Sequence, residues 1–150
     1  TDRLFTIGIS GATIDSSGTG ALTFGNSGTL GTTAATSPTL TLTGSANGIL
    51  TSVFGNPATS GASALTKLGT GTWTLTGNST YTGVTTVTAG TLKFAPSSAF
   101  NMTLNGGLVN NATVAFDATG GGTSSATVNK LEIVGASGNG VWDIDSTATV

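Results

Sequence analysis

The chain has 150 residues, a formal net charge of −2, charged side chains at only 7% of positions, 24 glycines, no cysteine and no histidine. Four basic residues are too few to track a phosphate backbone or to hold an anionic membrane surface. The absence of Cys and His removes disulfide scaffolding, thiolate nucleophiles and imidazole general bases.

Threonine makes up roughly a fifth of the chain, and the aliphatic residues supply enough apolar surface for a core, so low charge here does not signal disorder. The length suits one module over residues 1–150. No apolar run reaches the length of a membrane span, and no charged-then-apolar leader opens the chain. A start at Thr1 is expected for a processed chain or an internal slice.

Helical spacing of apolar residues is absent, and period-two alternation replaces it. "ALTF" (21–24) places Leu22 and Phe24 on one face. "TLTLTG" (39–44) places Leu40 and Leu42 on one face with Thr39, Thr41 and Thr43 on the other. "TWTLTG" (72–77) repeats this with Trp73 and Leu75, and "TLKF" (91–94) with Leu92 and Phe94. "TVAF" (113–116) gives Val114 and Phe116, "KLEI" (130–133) gives Leu131 and Ile133, and "VWDI" (141–144) gives Trp142 and Ile144. These fourteen residues form the expected core. Each strand ends at Gly, Asn or Ser. The stretches 31–38, 52–63 and 117–126, rich in small residues and Pro, read as loops.

From Leu22 to Leu40 is a step of 18 residues, from Trp73 to Leu92 19, and from Val114 to Leu131 17. A fixed period near 20 marks a solenoid. The expected fold is all-β, a right-handed parallel β-helix (β-solenoid) of about seven coils. An antiparallel sandwich is the structural competitor, with Asn47-Gly48, Asn105-Gly106 and Asn139-Gly140 as its candidate hairpin turns.

The stretch "ALTKLGTGTWTLTGNSTYTGVTTVTAGTLKF" (64–94) resembles the autotransporter-associated β-strand repeat, also called the passenger-associated transport repeat. Leu65, Lys67, Gly69, Gly71, Trp73, Leu75, Gly77, Tyr81, Gly83, Thr86, Val87, Ala89, Gly90 and Leu92 carry the match. The resemblance implies a parallel β-helix in an exported bacterial protein, extracellular or on the cell surface. The motif is structural in its family, so it implies no catalytic residue. No translocator barrel accompanies it. Physically, Gly69, Gly71, Gly77, Gly83 and Gly90 suit corners that need a positive φ or a close backbone approach.

No catalytic residue, cofactor or metal ligand emerges. Asp15 and Asp117 are expected several coils apart, too far to pair. Asp143 and Asp145 read as a solvated edge, and Lys67 as a solvated corner charge. "GTGTW" lacks the third Gly of a dinucleotide loop, and the Gly run 120–122 lacks the Asp of calcium-binding repeats. The Thr-x-Thr-x-Thr rows at 39–43 and 72–76 would suit an ice-facing surface, but they do not recur at one fixed offset. The three loops offer no aromatic platform for a sugar.

Both ends read as strands, "RLFTIGIS" and "VWDIDSTATV", and neither reads as a polar cap. The expected function is therefore a non-enzymatic structural protein of the bacterial exterior, a homo-oligomer stacking head to tail into a filament or surface rod. The alternative is a passenger module of an autotransporter-like adhesin that binds a host or glycan ligand.

Overall fold

The computed structural model describes residues 1–33, 37–96, 101–104, 106–117, 124–128, 131–132, 141–144 and 148–149. The chain opens with β1 (Thr6–Ile7), β2 (Ala12–Asp15), β3 (Leu22–Phe24) and β4 (Gly31–Thr32). It continues through β5 (Thr39–Thr43), β6 (Gly48–Leu50), β7 (Ala64–Lys67), β8 (Thr72–Leu75), β9 (Thr85–Val87) and β10 (Thr91–Phe94). Then follow β11 (Asn101–Leu104), β12 (Leu108–Asn110), β13 (Thr113–Phe116), β14 (Ser124–Val128), β15 (Leu131–Glu132), β16 (Val141–Ile144) and β17 (Ala148–Thr149). No helix occurs among the described residues.

The strands stack into a β-solenoid. One six-stranded sheet runs β2-β5-β7-β9-β12-β15, and a second runs β3-β6-β8-β10-β13-β16. A third side carries β1-β4 near one end and β11-β14-β17 near the other. Every paired strand is parallel to its neighbour. That pattern excludes the antiparallel sandwich, and Gly48, one of its candidate turn residues, opens β6 instead.

Each long sheet holds six rungs where the sequence spacing predicts seven. The registers explain the difference. Leu22 stands over Gly48, not over Leu40, which pairs with Ala12 in the other sheet. Val114 pairs with Trp142, and Leu131 pairs with Leu108. Only the step from Trp73 to Leu92 joins true neighbours. Strands of different sheets share the same Thr-apolar alternation, so the pattern alone cannot tell one side of a coil from another. Between registered partners the coil length varies from 19 residues (Trp73 to Leu92) to 28 (Ala12 to Leu40).

Two of the expected loops contain strands. Gly31–Thr32 pairs with Thr6–Ile7, and Ser125–Val128 pairs with Asn101–Leu104. Small polar residues read as loop, yet a parallel rung supplies their backbone partners. The stretch 52–63 holds no strand, but Val53 bridges to Thr29 and Phe54 is buried.

The interior is one continuous column of side chains. Leu40, Leu42, Trp73, Leu75, Leu92, Phe94, Val114 and Phe116 are buried, and Leu22 and Phe24 in the first rung pack against them partly exposed. Leu131, Trp142 and Ile144 lie in β15 and β16, whereas Ile133 falls outside the described residues. Burial of each large side chain stabilises by about 1.5–3 kcal/mol. The column also holds Ile7, Leu30, Leu50, Phe54, Leu65, Tyr81, Val87, Leu104 and Leu108, which alternation in the recognised strands did not reveal. Phe54 and Tyr81 sit on the third side with ring centroids 5.1 Å apart, and Phe94 stacks on Phe116 at 5.4 Å.

Candidate functional site

The chemistry of this chain is concentrated inside the rungs formed by β7 to β10. Lys67 is the clearest departure from the sequence reading. It occupies an inward position of β7, in register with Leu42 on one side and Val87 on the other, and its side chain is fully buried. The strand's alternation dictates this: Leu65 and Lys67 point in while Ala64 and Thr66 point out. It is therefore not a solvated corner charge.

The ammonium meets no carboxylate in the described contacts. Nζ donates to the carbonyl oxygens of Leu68 at 2.5 Å, Gly69 at 2.7 Å and Ala89 at 3.0 Å. Two of these carbonyls belong to the corner after β7 and the third to the corner after β9. One side chain thus joins two successive coils at the same edge. Burial pulls the Lys67 pKa down from 10.5 to about 8, while carbonyl oxygens around Nζ favour the charged form and work against burial. At neutral pH the group remains an ammonium.

The corner itself depends on glycine. Gly44, Gly69 and Gly90 stack in successive coils with φ of 117°, 68° and 65°, a region in which L side chains are strained. Gly71, Gly77 and Gly83 do not have a positive φ and act through close approach instead. A β-carbon on them would come within 2.1, 2.5 and 2.4 Å of a backbone oxygen in the coil above.

Trp73 and Tyr81 fill the coil. The Trp73 indole Nε1–H donates to the Thr43 carbonyl at 2.9 Å. The Tyr81 and Thr85 hydroxyls share a hydrogen bond of 2.7 Å, and burial pushes the Tyr81 phenol above its ordinary pKa. Both aromatic polar tips are satisfied, as buried tips must be. Asn56 ties the loop side, its Oδ1 accepting from the Ser63 and Thr82 amides at 3.0 Å each.

The remaining charges are scattered. Asp15 accepts from the Ser17 hydroxyl, and Lys93 pairs with Asp117 on the outside of the second sheet. Asp15 lies in the first described rung and Asp117 just after β13, so the two do not meet. Asp143 lies in β16, and Asp145 falls outside the described residues. Among the described residues no group of three or more His, Cys, Asp or Glu is placed to hold a metal ion.

Three comparisons bear on what this arrangement is. Residues 65–94 match the family model for the passenger-associated-transport-repeat, so the Lys67 corner, Trp73 and Tyr81 all lie inside that repeat. Over 125 residues the chain is 34% identical to the adhesin BmaC autotransporter of Brucella suis biovar 1 (strain 1330), a match covering 81% of this chain and 3% of that protein. No solved structure matches the chain. The chain is a β-solenoid segment carrying a passenger-associated transport repeat, and its place is extracellular or on the bacterial cell surface.

Proposed function

We propose that the chain is a non-enzymatic structural segment of a long adhesin-like passenger, a rigid β-solenoid rod that spaces and presents whatever lies beyond it. The supporting observation is that Lys67 and Trp73 of the matched repeat are turned inward to join one coil to the next, and Tyr81 is turned inward to bond within its own coil. Lys67, Trp73 and Tyr81 are spent on carbonyl and hydroxyl partners of the same solenoid. Six rungs at about 4.8 Å give a section roughly 25–30 Å long, consistent with one short stretch of a protein of which it matches 3%.

End-to-end stacking of copies is the second reading, and one observation favours it. Ala12, Ile14, Leu22 and Phe24 in the first rung are only partly buried, whereas their registered neighbours Leu40, Leu42 and Leu50 are wholly buried. An added coil would cover that apolar layer and pair the outer edge of β2, whereas the outer edge of β3 already meets Thr1, whose amine donates to the Thr23 carbonyl and whose carbonyl accepts from the Gly25 amide, each at 2.7 Å.

Two measurements on the 150-residue chain test these readings. The structural reading expects no binding of the labelled chain to glycan arrays or host-cell surfaces, and saturable binding to either would overturn it. Sedimentation at rising concentration, with negative-stain imaging, decides stacking: regular fibres support it, and a monomer at millimolar concentration removes it.

A further inference from the structure

We infer that Asn78 is a glycosylation site, its side-chain amide the acceptor of an N-linked sugar. An Asn-x-Ser/Thr triplet is the acceptor pattern for that chemistry. It occurs at Asn78-Ser79-Thr80, Asn101-Met102-Thr103 and Asn111-Ala112-Thr113. In so Thr-rich a chain the triplet alone selects nothing, and geometry must separate the three.

Asn78 lies between β8 and β9, in a segment without a strand, yet the backbone there is pinned from within. The Thr80 and Tyr81 amides donate to the Phe54 carbonyl at 2.8 and 3.2 Å, and the buried Ser79 hydroxyl accepts from the Phe54 amide at 3.2 Å. With Ser79 turned inward, its neighbours Asn78 and Thr80 are both exposed, as alternation requires. The Ser79 amide also donates to the Gly77 carbonyl at 2.8 Å, closing a three-residue turn with Asn78 at its apex. The acceptor amide and the hydroxyl two residues on thus both stand on a fixed, open surface.

Other asparagines are spent on the solenoid. Asn26 donates to the Asp2 carbonyl and accepts from the Gly28 amide. Asn47, Asn56 and Asn110 accept from the Thr72, Thr82 and Ala112 amides at 3.0 Å each. Asn78 makes no such side-chain bond among the described residues. It is an asparagine without a structural task, at the first position of an acceptor triplet. The other triplets fit less well. Asn111 has its Oδ1 buried and its backbone amide tied to the Val87 carbonyl, and Thr113 is paired on both edges, with Thr91 and Val141. Asn101, Met102 and Thr103 lie within β11, whose backbone pairs with β14.

The donor class is a sugar activated as a diphosphate ester at its anomeric carbon, and the catalyst is a separate transferase. The Asn78 Nδ2 bonds to that carbon as the carbon–oxygen bond to the diphosphate breaks. The diphosphate leaves with the bonding pair, and a base of the transferase takes the one proton the amide gives up. A chain charged at 7% of positions has little charge repulsion to keep its exterior in solution. A surface glycan supplies hydration without adding charge.

The test is peptide mass spectrometry on the protein taken from the surface of the bacterium that makes it. Trypsin on the unfolded chain cuts after Lys67, Lys93 and Lys130, so Leu68–Lys93 holds Asn78 while Phe94–Lys130 holds the other two triplets. A sugar-mass increment is expected on Leu68–Lys93, mapped to Asn78 by electron-transfer fragmentation. A single-sugar increment marks a nucleotide-linked donor and a preassembled block a lipid-linked one, and either supports the inference. Asn78→Gln and Thr80→Ala are expected to abolish the increment, with circular dichroism as the fold control for each. An unmodified Leu68–Lys93 from the wild type would overturn the inference. So would an increment that survives Asn78→Gln, which would place the sugar on a hydroxyl, or one undiminished in Thr80→Ala, which would mean that the triplet is not the signal.

Discussion

Gly48 stands directly across from Trp73 in the second sheet, and a β-carbon at position 48 would lie 2.5 Å from the indole ring. The column Leu22, Gly48, Trp73, Leu92, Val114 therefore places the smallest residue against the largest. Gly48→Ala is expected to destabilise by about 1–3 kcal/mol through overpacking, and Trp73→Ala by about 3–5 kcal/mol through the cavity. In the double variant the methyl enters space the indole vacated, so the two losses should sum to less than their parts. A urea double-mutant cycle measures this, and strict additivity would show that the pair does not share volume.

Gly69 tests the corner. Its φ is 68°, and a β-carbon there would sit 2.5 Å from the Gly44 carbonyl oxygen. A left-handed L residue costs about 1–2 kcal/mol before any clash, so Gly69→Ala should exceed that figure. Gly20→Ala, where nothing lies within 4 Å, is expected to change stability by less than about 0.5 kcal/mol. Thermal melts of the two variants check the contrast.

Much of this architecture is legible in the sequence, and the illegible part has physical causes. Leu40, Trp73 and Leu92 are marked by plain alternation, and their strands appear where the alternation lies. The period is not legible, because β3 and β5 carry similar patterns on different sides and Leu22 can be paired by eye with Leu40. Gly48 hides in an Asn-Gly pair that looks like a hairpin turn, since its role depends on an indole 25 residues later. Lys67 is misread because a charged residue suggests solvent. Its alternation with Leu65, two positions earlier, carried the correct signal.

Replacing that lysine should be costly despite its charge. Lys67→Met keeps the volume and the apolar stem between Leu42 and Val87 but leaves the Leu68, Gly69 and Ala89 carbonyls without the ammonium. An unsatisfied buried acceptor costs about 1–3 kcal/mol, so a loss of at least about 2 kcal/mol is expected from denaturant midpoints. A neutral or stabilising outcome would mean that the desolvation of the ammonium outweighs its three hydrogen bonds.

The same lysine gives stability a pH signature. Folded Lys67 releases its proton near pH 8, while in the unfolded chain it does so near 10.5. Below about pH 8 both states are protonated and this group adds no slope. Between about 8 and 10.5 the unfolded chain binds more protons, so stability rises with pH, by at most about 1.4 kcal/mol per pH unit. Tyr81 acts in the opposite sense: its phenol is pushed up by burial from 10.0, so the unfolded chain ionises first and stability falls as pH climbs beyond about 10. Wild type should therefore grow more stable from pH 8 to about 10 and then turn over. Lys67→Met should be flat across the first interval and retain the fall, and Tyr81→Phe should keep the rise and lose the fall. Melting curves at half-unit pH intervals separate the two groups, and a wild-type profile flat from pH 8 to 10 would show that the carbonyl cage holds the ammonium against burial.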